Sequence, residues 1–196
     1  LEVYGMAPPS SGGSTVGEIL NILEGYDLGA LPREQALHYY LEASRLAYAD
    51  RGAFLADPGY VSVPLAQLLS DQFAAQRRKL ITDHAATSPV DPGKPDAVTD
   101  TSASTTRNGS TTNLTVSDRW GNVVEYTLTI EQTGGSGIVV PGRGFLLNNE
   151  LTDFSTVYSA SDPNRIQPGK RPRSSMSPTI VLKDGEPWLA LGSPGG

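Results

Sequence analysis

The sequence contains no cysteine among its 196 residues. This absence excludes a disulfide scaffold, a zinc site with thiolate ligands, an iron–sulfur cluster and a cysteine nucleophile. Histidine is also scarce, because His38 and His84 are the only two, and there is no Gly-x-Ser-x-Gly motif. A serine hydrolase with a histidine base is therefore not indicated. Without clustered histidines the sequence predicts no metal site, and it offers no other cofactor motif.

Basic residues are in the minority, with 15 Lys and Arg against 21 Asp and Glu and a net charge of −6. Sequence-independent binding of nucleic acid needs a basic face, so we expect no nucleic-acid partner. No apolar run approaches the roughly 18 residues that a membrane span needs, so we expect no span in this chain. The sequence begins at Leu1 without a basic leader, and we expect it to be part of a longer protein.

The first third of the sequence has the pattern of helices. Apolar residues recur at helical spacing through Ile19–Leu23, and Gly25 is placed to end that helix. Pro32 suits the first position of a longer helix that we expect to run to about Arg51. A further helix is predicted over 71–80. The chain therefore opens with a helical part.

The character of the sequence changes after these helices. Residues 83–110 are rich in Ser, Thr, Asp and Ala and hold almost no large apolar side chain, which predicts an exposed, mobile linker. Segments rich in β-formers follow, and we expect strands at about 112–116, 123–130, 144–147, 179–182 and 188–191. Helices followed by strands indicate an α+β fold.

A threonine where the linker meets the first strand offers chemistry that needs neither histidine nor cysteine. Thr111 and Thr112 follow Gly109-Ser110 at that junction. A threonine hydroxyl can act as a nucleophile when its own α-amine is the base, which requires cleavage of the peptide bond before it. Ser-Thr-Thr also occurs at Ser104–Thr106 and is ordinary linker composition, so the residues alone leave a simple linker as an alternative.

A set of nine segments carries a resemblance to a known family, through their order and spacing together. They are Met6–Gly13, Ala47–Arg51, Asp57-Pro58, Thr111-Thr112, Asp118–Asn122, Gly135–Ile138, Leu147–Phe154, Lys170–Pro178 and Gly192–Gly196. In this order they resemble the γ-glutamyltranspeptidase family of N-terminal-nucleophile hydrolases. The resemblance selects Thr111 over Thr105, because the Asp-x-x-Gly-Asn turn follows Thr111 at the family's distance.

The resemblance implies a four-layer αββα sandwich of the N-terminal-nucleophile hydrolase type, of which this chain is a part. It implies a precursor that cuts itself between Ser110 and Thr111 into a large and a small subunit that stay together. Residues 1–110 then form the C-terminal part of the large-subunit region and end in the linker 83–110. Residues 111–196 form the N-terminal part of the small-subunit region, and both regions belong to one domain. The family pattern also implies a periplasmic or secreted location.

The resemblance also assigns the catalytic groups. Thr111 is the expected nucleophile, and Thr129 matches the position whose hydroxyl orients it. The backbone N–H groups of Gly195 and Gly196 match the oxyanion hole, where only glycine lets the backbone approach closely. The implied reaction transfers a γ-glutamyl group from glutathione or a γ-glutamyl peptide to Thr111, and then to water or an acceptor amine.

Substrate binding follows the same resemblance. Glu150 and Asp153 match the carboxylates that bind the cationic α-amino group, and Ser174 and Ser175 match the donors to the α-carboxylate. Glu131 stands where better-known members have Asn, which adds a third carboxylate near the amino-group site. The family's arginine that binds the α-carboxylate lies upstream of this chain.

Two further departures from the family pattern are present, and the first of them bears on the substrate. The connection from Phe154 to Lys170 is shorter than in members with a lid loop, and Asn113 replaces a common histidine. The alternatives within the fold are a cephalosporin (glutaryl) acylase and a poly-γ-glutamate depolymerase. The non-enzymatic alternative is an unprocessed homologue that serves as a structural or interaction module.

Overall fold

Helices dominate the first part of the chain and strands dominate the second. The computed structural model describes residues 1–95 and 110–194. Its helices are α1 (Gly12–Leu23), α2 (Arg33–Phe54), α3 (Leu65–Leu68) and α4 (Asp71–Arg78). Its strands are β1 (Glu2–Tyr4), β2 (Ser110–Ser117), β3 (Val123–Glu131), β4 (Thr179–Lys183) and β5 (Glu186–Leu191). The order of these elements confirms the predicted α+β class.

The long helix α2 begins and packs much as its sequence predicts. Pro32 stands just before its first residue, and the Pro32 carbonyl accepts the N–H groups of Gln35 and Ala36 at 3.0 Å each. Its inner face places Ala43 and Leu46 in one core cluster with residues of α1 and α4. Each fully buried large aliphatic side chain contributes about 1.5–3 kcal/mol to stability. The helix runs to Phe54, three residues beyond the predicted end.

The strands form two antiparallel sheets. β2 and β3 pair as a hairpin, and β4 lies between β1 and β5 in a three-stranded sheet. Strand β1 was not predicted, because three residues are too few to show an alternating pattern. Its place depends on a partner far along the chain, since Val3 pairs with Val181.

The predicted strand at 144–147 is wrong. Gly142 and Gly144 have positive φ angles of 72° and 76°, which turn the chain rather than extend it. Within this segment only Leu146 makes a ladder contact, an isolated bridge to Val139. The turn itself lies at 141–143. Residues 145 and 147 bond back to residues 140 and 138, but this pairing is too short and irregular to form a strand.

The prediction of a mobile linker over 83–110 needs correction for its described beginning. The N–H of Ala86 donates to Glu42, and Arg77 donates to the carbonyl of Asp91. Gly93 lies so close to α4 that an added Cβ would stand 2.5 Å from the ring of Phe73. The segment 86–95 is therefore anchored on α2 and α4. Residues 96–109 of the predicted linker lie outside the described residues.

A buried group of charged side chains holds this anchored segment. Asp50 is 0% exposed, its Oδ2 lies 2.8 Å from Nε of Arg77, and its Oδ1 accepts the N–H of Gly93. The carboxyl of Glu18 in α1 reaches Asp50 and is only 3% exposed. Burial raises the pKa of Glu18 well above its usual range, and contact with Asp50 raises it further. Glu18 therefore carries the proton, while Asp50 pairs with Arg77.

Replacement of Glu18 by Gln should make the protein less sensitive to alkaline pH. The folded wild type keeps a proton on Glu18 that the unfolded chain releases above about pH 4.5. Its free energy of unfolding should therefore fall as pH rises from 5 to 9, by up to about 1.4 kcal/mol per pH unit. Thermal unfolding of Glu18→Gln should lack this component, because the amide donates to Asp50 at every pH.

The matched control is Glu34→Gln, which changes an exposed glutamate at the start of α2. This control should retain the wild-type slope of stability against pH. Equal slopes in all three proteins would contradict the protonated state of Glu18.

Candidate active site

The hydroxyls of Thr111 and Thr129 meet across the β2–β3 ladder. The two residues are paired in register, and Thr111 Oγ1 donates to Thr129 Oγ1 at 3.2 Å. Thr129 Oγ1 also accepts the N–H of Glu131 at 2.8 Å. Two donors therefore converge on the Thr129 oxygen, and the Thr111 hydroxyl is held at the beginning of a paired strand.

A register irregularity shapes this end of the hairpin. Ser110 pairs with Glu131 and Thr111 pairs with Thr129, so that Ile130 is an extra residue on β3. Bulges of this kind redirect side chains and are frequent beside active sites. Glu131 itself has a φ of 71°, a left-handed conformation that costs a residue with a side chain about 1–3 kcal/mol. With the backbone in this conformation, Glu131 is only 7% exposed.

Asn149 connects the end of β3 to the acidic 3-10 turn Glu150–Asp153. Its Nδ2 donates to Glu131 Oε2 at 2.7 Å, and its Oδ1 accepts the N–H of Gln132 at 3.0 Å. Its backbone N–H donates to the carbonyl of Ile130 at 3.1 Å. The half-buried amide thus fixes the carboxylate of Glu131 beside the turn that carries the other two predicted carboxylates.

The charge of Glu131 acts on both carboxyl groups of the acidic turn, Glu150 and Asp153. Burial, the charge and contact of Asp153 and the charge of Glu131 together raise the pKa of Glu150 to about 7. Burial also raises the pKa of Asp153, as does the charge of Glu131, while its contact with Glu150 lowers it. The positive charges of Arg51 and Arg173 lower it as well. Glu150 and Asp153 can therefore share a proton near neutral pH, and a cation can take the proton's place.

The two predicted serines lie in a loop that is bound to the start of α1. The carbonyl of Ser174 accepts the N–H of Ser11 at 2.9 Å and its hydroxyl at 2.8 Å. Ser11 Oγ in turn accepts from Arg51 Nε at 2.7 Å. Ser174 is half-buried and Ser175 is exposed. The side chain of Ser175 is therefore open to solvent on a loop whose backbone is held in place.

Two arginines attach the same loop to the end of α2. Arg171 makes a bidentate contact with Asp57, at 2.7 and 3.1 Å, and its N–H donates to the same carboxylate at 3.0 Å. These donors hold the pKa of Asp57 well below its usual range. Arg173 is 3% exposed and donates to the carbonyls of Arg51, Gly52 and Leu55. It thereby bonds to carbonyls of the last turn of α2, where a helix lacks its full set of intrahelical partners.

The structure thus gathers the predicted residues into recognisable groups. Thr111 lies against Thr129, and Glu131 lies with Glu150 and Asp153. The predicted oxyanion glycines, Gly195 and Gly196, lie outside the described residues, and so does the stretch just before Ser110.

Sequence reasoning missed three residues that organise the site, Asn149, Arg51 and Asn164. The first two lie inside segments that carry the family resemblance, Leu147–Phe154 and Ala47–Arg51, so a signal for them was present. Asn164 lies in none of these segments, and no motif pointed to it.

Residues 1–95 and 110–194 contain neither a metal-binding cluster nor a membrane-spanning helix. In this part of the chain no group of three or more His, Asp or Glu side chains is arranged to hold a metal ion. Across the same residues no helix combines the length and the apolar character that crossing a bilayer requires.

Comparison with known proteins identifies the family. The family model for γ-glutamyltranspeptidase matches residues 1–196. The chain belongs to this family. It is 43% identical to a glutathione hydrolase proenzyme of Bacillus subtilis subsp. natto, over 96% of this chain and 34% of that protein. It is 42% identical to a glutathione hydrolase proenzyme of Escherichia coli K12, over 100% of this chain and 34% of that protein. The chain thus spans about a third of the length of these relatives.

A solved structure supports the fold. The cephalosporin acylase from Bacillus halodurans superposes with a TM-score of 0.79 at 30% identity, over 96% of this chain and 31% of that chain. The predicted N-terminal-nucleophile hydrolase fold is therefore confirmed, and this chain supplies about a third of it. The helices and the two antiparallel sheets described above belong to the layers of that αββα sandwich.

Loss of the Asp57 carboxylate should loosen the serine loop. Asp57→Asn replaces an ionised acceptor of three donors from Arg171 with a neutral amide. Amide hydrogen exchange of residues 171–176 at pH 7 should become about tenfold faster, since a bond to a charged group contributes about 1.5–3 kcal/mol.

Asp184→Asn is the control for this experiment, because Asp184 lies in the β4–β5 turn. This variant should leave exchange of residues 171–176 at the wild-type rate. Unchanged exchange in Asp57→Asn would show that the arginine contact does not hold the loop.

Proposed function

We propose that this chain carries catalytic residues of a γ-glutamyltransferase or γ-glutamyl hydrolase that acts on glutathione or γ-glutamyl peptides. The observation that carries the proposal is the contact of Thr111 with Thr129, at the end of the hairpin where Glu131 joins the acidic turn. Family membership and relatives named glutathione hydrolase proenzyme support it.

The first step of the proposed mechanism is self-cleavage before Thr111. Thr111 Oγ attacks the carbonyl carbon of Ser110, the C–N bond between the two residues breaks, and the hydroxyl proton passes to the released amine. Water then hydrolyses the ester, which leaves a carboxylate on Ser110 and a free α-amine on Thr111. The hydrogen bond to Thr129 orients the Thr111 hydroxyl for this attack.

The second step uses the new terminus. The α-amine of Thr111, directly or through a water molecule, takes the hydroxyl proton as Oγ attacks the γ-carbonyl of the substrate. The same proton goes to the leaving amine as the amide bond breaks, and a γ-glutamyl ester remains on Thr111. Water or an acceptor amine then releases the glutamyl group. We assign the oxyanion contacts to the N–H groups of Gly195 and Gly196, on the family pattern.

Charge complementarity supports the assignment of the substrate. A γ-glutamyl group carries an α-ammonium and an α-carboxylate on one carbon. We propose that Glu131, Glu150 and Asp153 bind the ammonium, because the charge of Glu131 raises the pKa of both Glu150 and Asp153 and a bound cation offsets that repulsion. We propose that Ser174 and Ser175 donate to the α-carboxylate.

A glutaryl acylase is the second candidate, favoured by the likeness to the cephalosporin acylase from Bacillus halodurans. The carbon that carries the ammonium in a γ-glutamyl group is an uncharged methylene in a glutaryl group. Glu131, Glu150 and Asp153 would then be desolvated by the substrate without a cationic partner, which is costly. The cluster of three carboxyl groups therefore favours a γ-glutamyl substrate over a glutaryl one.

Thr111→Ala should abolish self-cleavage of the complete protein. Wild type should yield a fragment whose N-terminal sequence begins Thr111-Thr112-Asn113, and intact mass with N-terminal sequencing checks this. Thr112→Ala is the matched control, because alternation along β2 points this neighbour to the opposite face of the hairpin. The control should be cleaved at the wild-type position.

Two outcomes would overturn this mechanism. Wild type that stays a single chain after prolonged incubation would favour the unprocessed, non-enzymatic alternative. Cleavage before Thr105 rather than Thr111 would place the amine base on a different residue.

Substrate affinity should improve with pH through the titration of Glu150. As pH rises from 6 to 8, Glu150 loses its proton, since its pKa lies at about 7. The added negative charge should lower KM for a γ-glutamyl anilide by about fivefold, which corresponds to about 1 kcal/mol of ion pairing. The Thr111 amine also titrates, and its effect should appear in kcat.

Glu150→Gln should raise KM and remove most of its dependence on pH. Glu186→Gln changes an exposed glutamate at the start of β5 and should keep the wild-type profile. A Glu150→Gln enzyme with the wild-type KM profile would show that another group causes the titration.

A further inference from the structure

Asn164 lies between the two candidate substrate-binding segments and bonds to both of them. We propose that Asn164 is a positioning residue that sets the spacing between the acidic turn Glu150–Asp153 and the serine loop at Ser174–Ser175. The spacing selects substrates that carry an ammonium and a carboxylate on the same carbon atom. The inference rests on the proposed function and adds to it the residue that couples the two binding elements.

The two side-chain bonds of Asn164 carry the inference. Its Nδ2 donates to the carbonyl of Asp153 at 2.7 Å, and its Oδ1 accepts the backbone N–H of Arg173 at 2.9 Å. Asp153 is one of the proposed ammonium ligands, and Arg173 is bonded directly to Ser174 in the chain. Asn164 is 0% exposed, so neither bond competes with solvent. One rigid amide therefore joins the main chains of the two segments.

The backbone of Asn164 is itself held on both sides. Its N–H donates to Asp162 Oδ1 at 2.8 Å, and its carbonyl accepts the N–H of Ser155 at 3.2 Å. Lys170 Nζ donates to the carbonyl of Pro163 at 2.5 Å. The amide is therefore carried on a backbone that is itself bonded, and the Ser155 bond gives a second link to the acidic-turn side. The amide acts as a fixed spacer rather than as an adaptable contact.

The chemistry of the substrate explains why such a spacer is needed. The α-ammonium and α-carboxylate are one carbon apart, so their partners must keep a fixed separation. Asp153 and Ser174 lie far apart in the sequence, on either side of the connection 155–169. When the two binding segments shift relative to each other, a substrate that carries both charges on one carbon loses affinity, because it can no longer reach both sets of partners. A ligand that carries only one of the two charges does not lose affinity in this way.

Asn164→Asp in the complete protein tests the proposal. The substitution keeps the shape and the acceptor for Arg173 but replaces the donor to Asp153 by an oxygen. KM for γ-glutamyl-4-nitroanilide should rise about tenfold while kcat stays within about twofold. The inhibition constant of glutarate, which lacks the ammonium, should change by less than about twofold. Self-cleavage before Thr111 should proceed as in wild type.

Asn21→Asp is the matched control, because Asn21 Nδ2 also donates to a distant carbonyl, that of Leu69, at 2.9 Å. This variant should change neither KM nor the glutarate constant. If Asn164→Asp does not fold, Asn164→Ser serves in its place, because the hydroxyl can satisfy one of the two segments but cannot join both. The same split between γ-glutamyl-4-nitroanilide and glutarate is expected for it.

Two results would overturn the inference. One is an equal loss of affinity for γ-glutamyl-4-nitroanilide and for glutarate, which would indicate a general structural role for Asn164. The other is an unchanged KM in a folded, self-cleaved variant. Wild type without activity on γ-glutamyl-4-nitroanilide would instead contradict the proposed function, and the inference would fall with it.

Discussion

The hydrogen bond between Thr111 and Thr129 depends on the register of β2 against β3, and the rest of the candidate site is arranged around it. A slip of one residue would turn the Thr111 hydroxyl to the opposite face of the hairpin. The register irregularity at Ser110 ends the regular ladder immediately before Thr111. Beyond it, the left-handed backbone of Glu131 accompanies a buried carboxylate beside the acidic turn. One hairpin end therefore presents both the hydroxyl pair and the first of the three carboxylates.

Contacts between residues 1–95 and residues 110–194 give the site its second constraint. Asp57 binds Arg171, Arg173 binds the carbonyls at the end of α2, and Ser11 binds Ser174. These bonds cross the position at which we propose self-cleavage, and none of them uses the peptide bond between Ser110 and Thr111. They are therefore able to hold the two pieces together after that bond is cut. Since Ser174 and Arg173 belong to the later piece and α1 and α2 to the earlier one, the site draws its rigidity from both.

The sequence predicts some of these features well and others not at all, for physical reasons. Helical periodicity located α2 to within a few residues, and alternation located β2, because both patterns are local. Strand β1 escaped prediction because only its distant partner Val181 makes it a strand. The closeness of Glu131 to Glu150 follows from a positive φ angle and from the amide of Asn149, and no periodicity contains either. The resemblance nominated the carboxylates, while the nearby connection through Asn164 became visible only in three dimensions.

The central claim is that Thr111 carries the γ-glutamyl group during turnover. The most direct test is to quench the complete protein in acid while it turns over γ-glutamyl-4-nitroanilide, and to map the modified peptide by mass spectrometry. The account predicts one γ-glutamyl group in ester linkage on a peptide whose first residue is Thr111. A γ-glutamyl group on another residue, or product release from a protein that never carries the group, would contradict it.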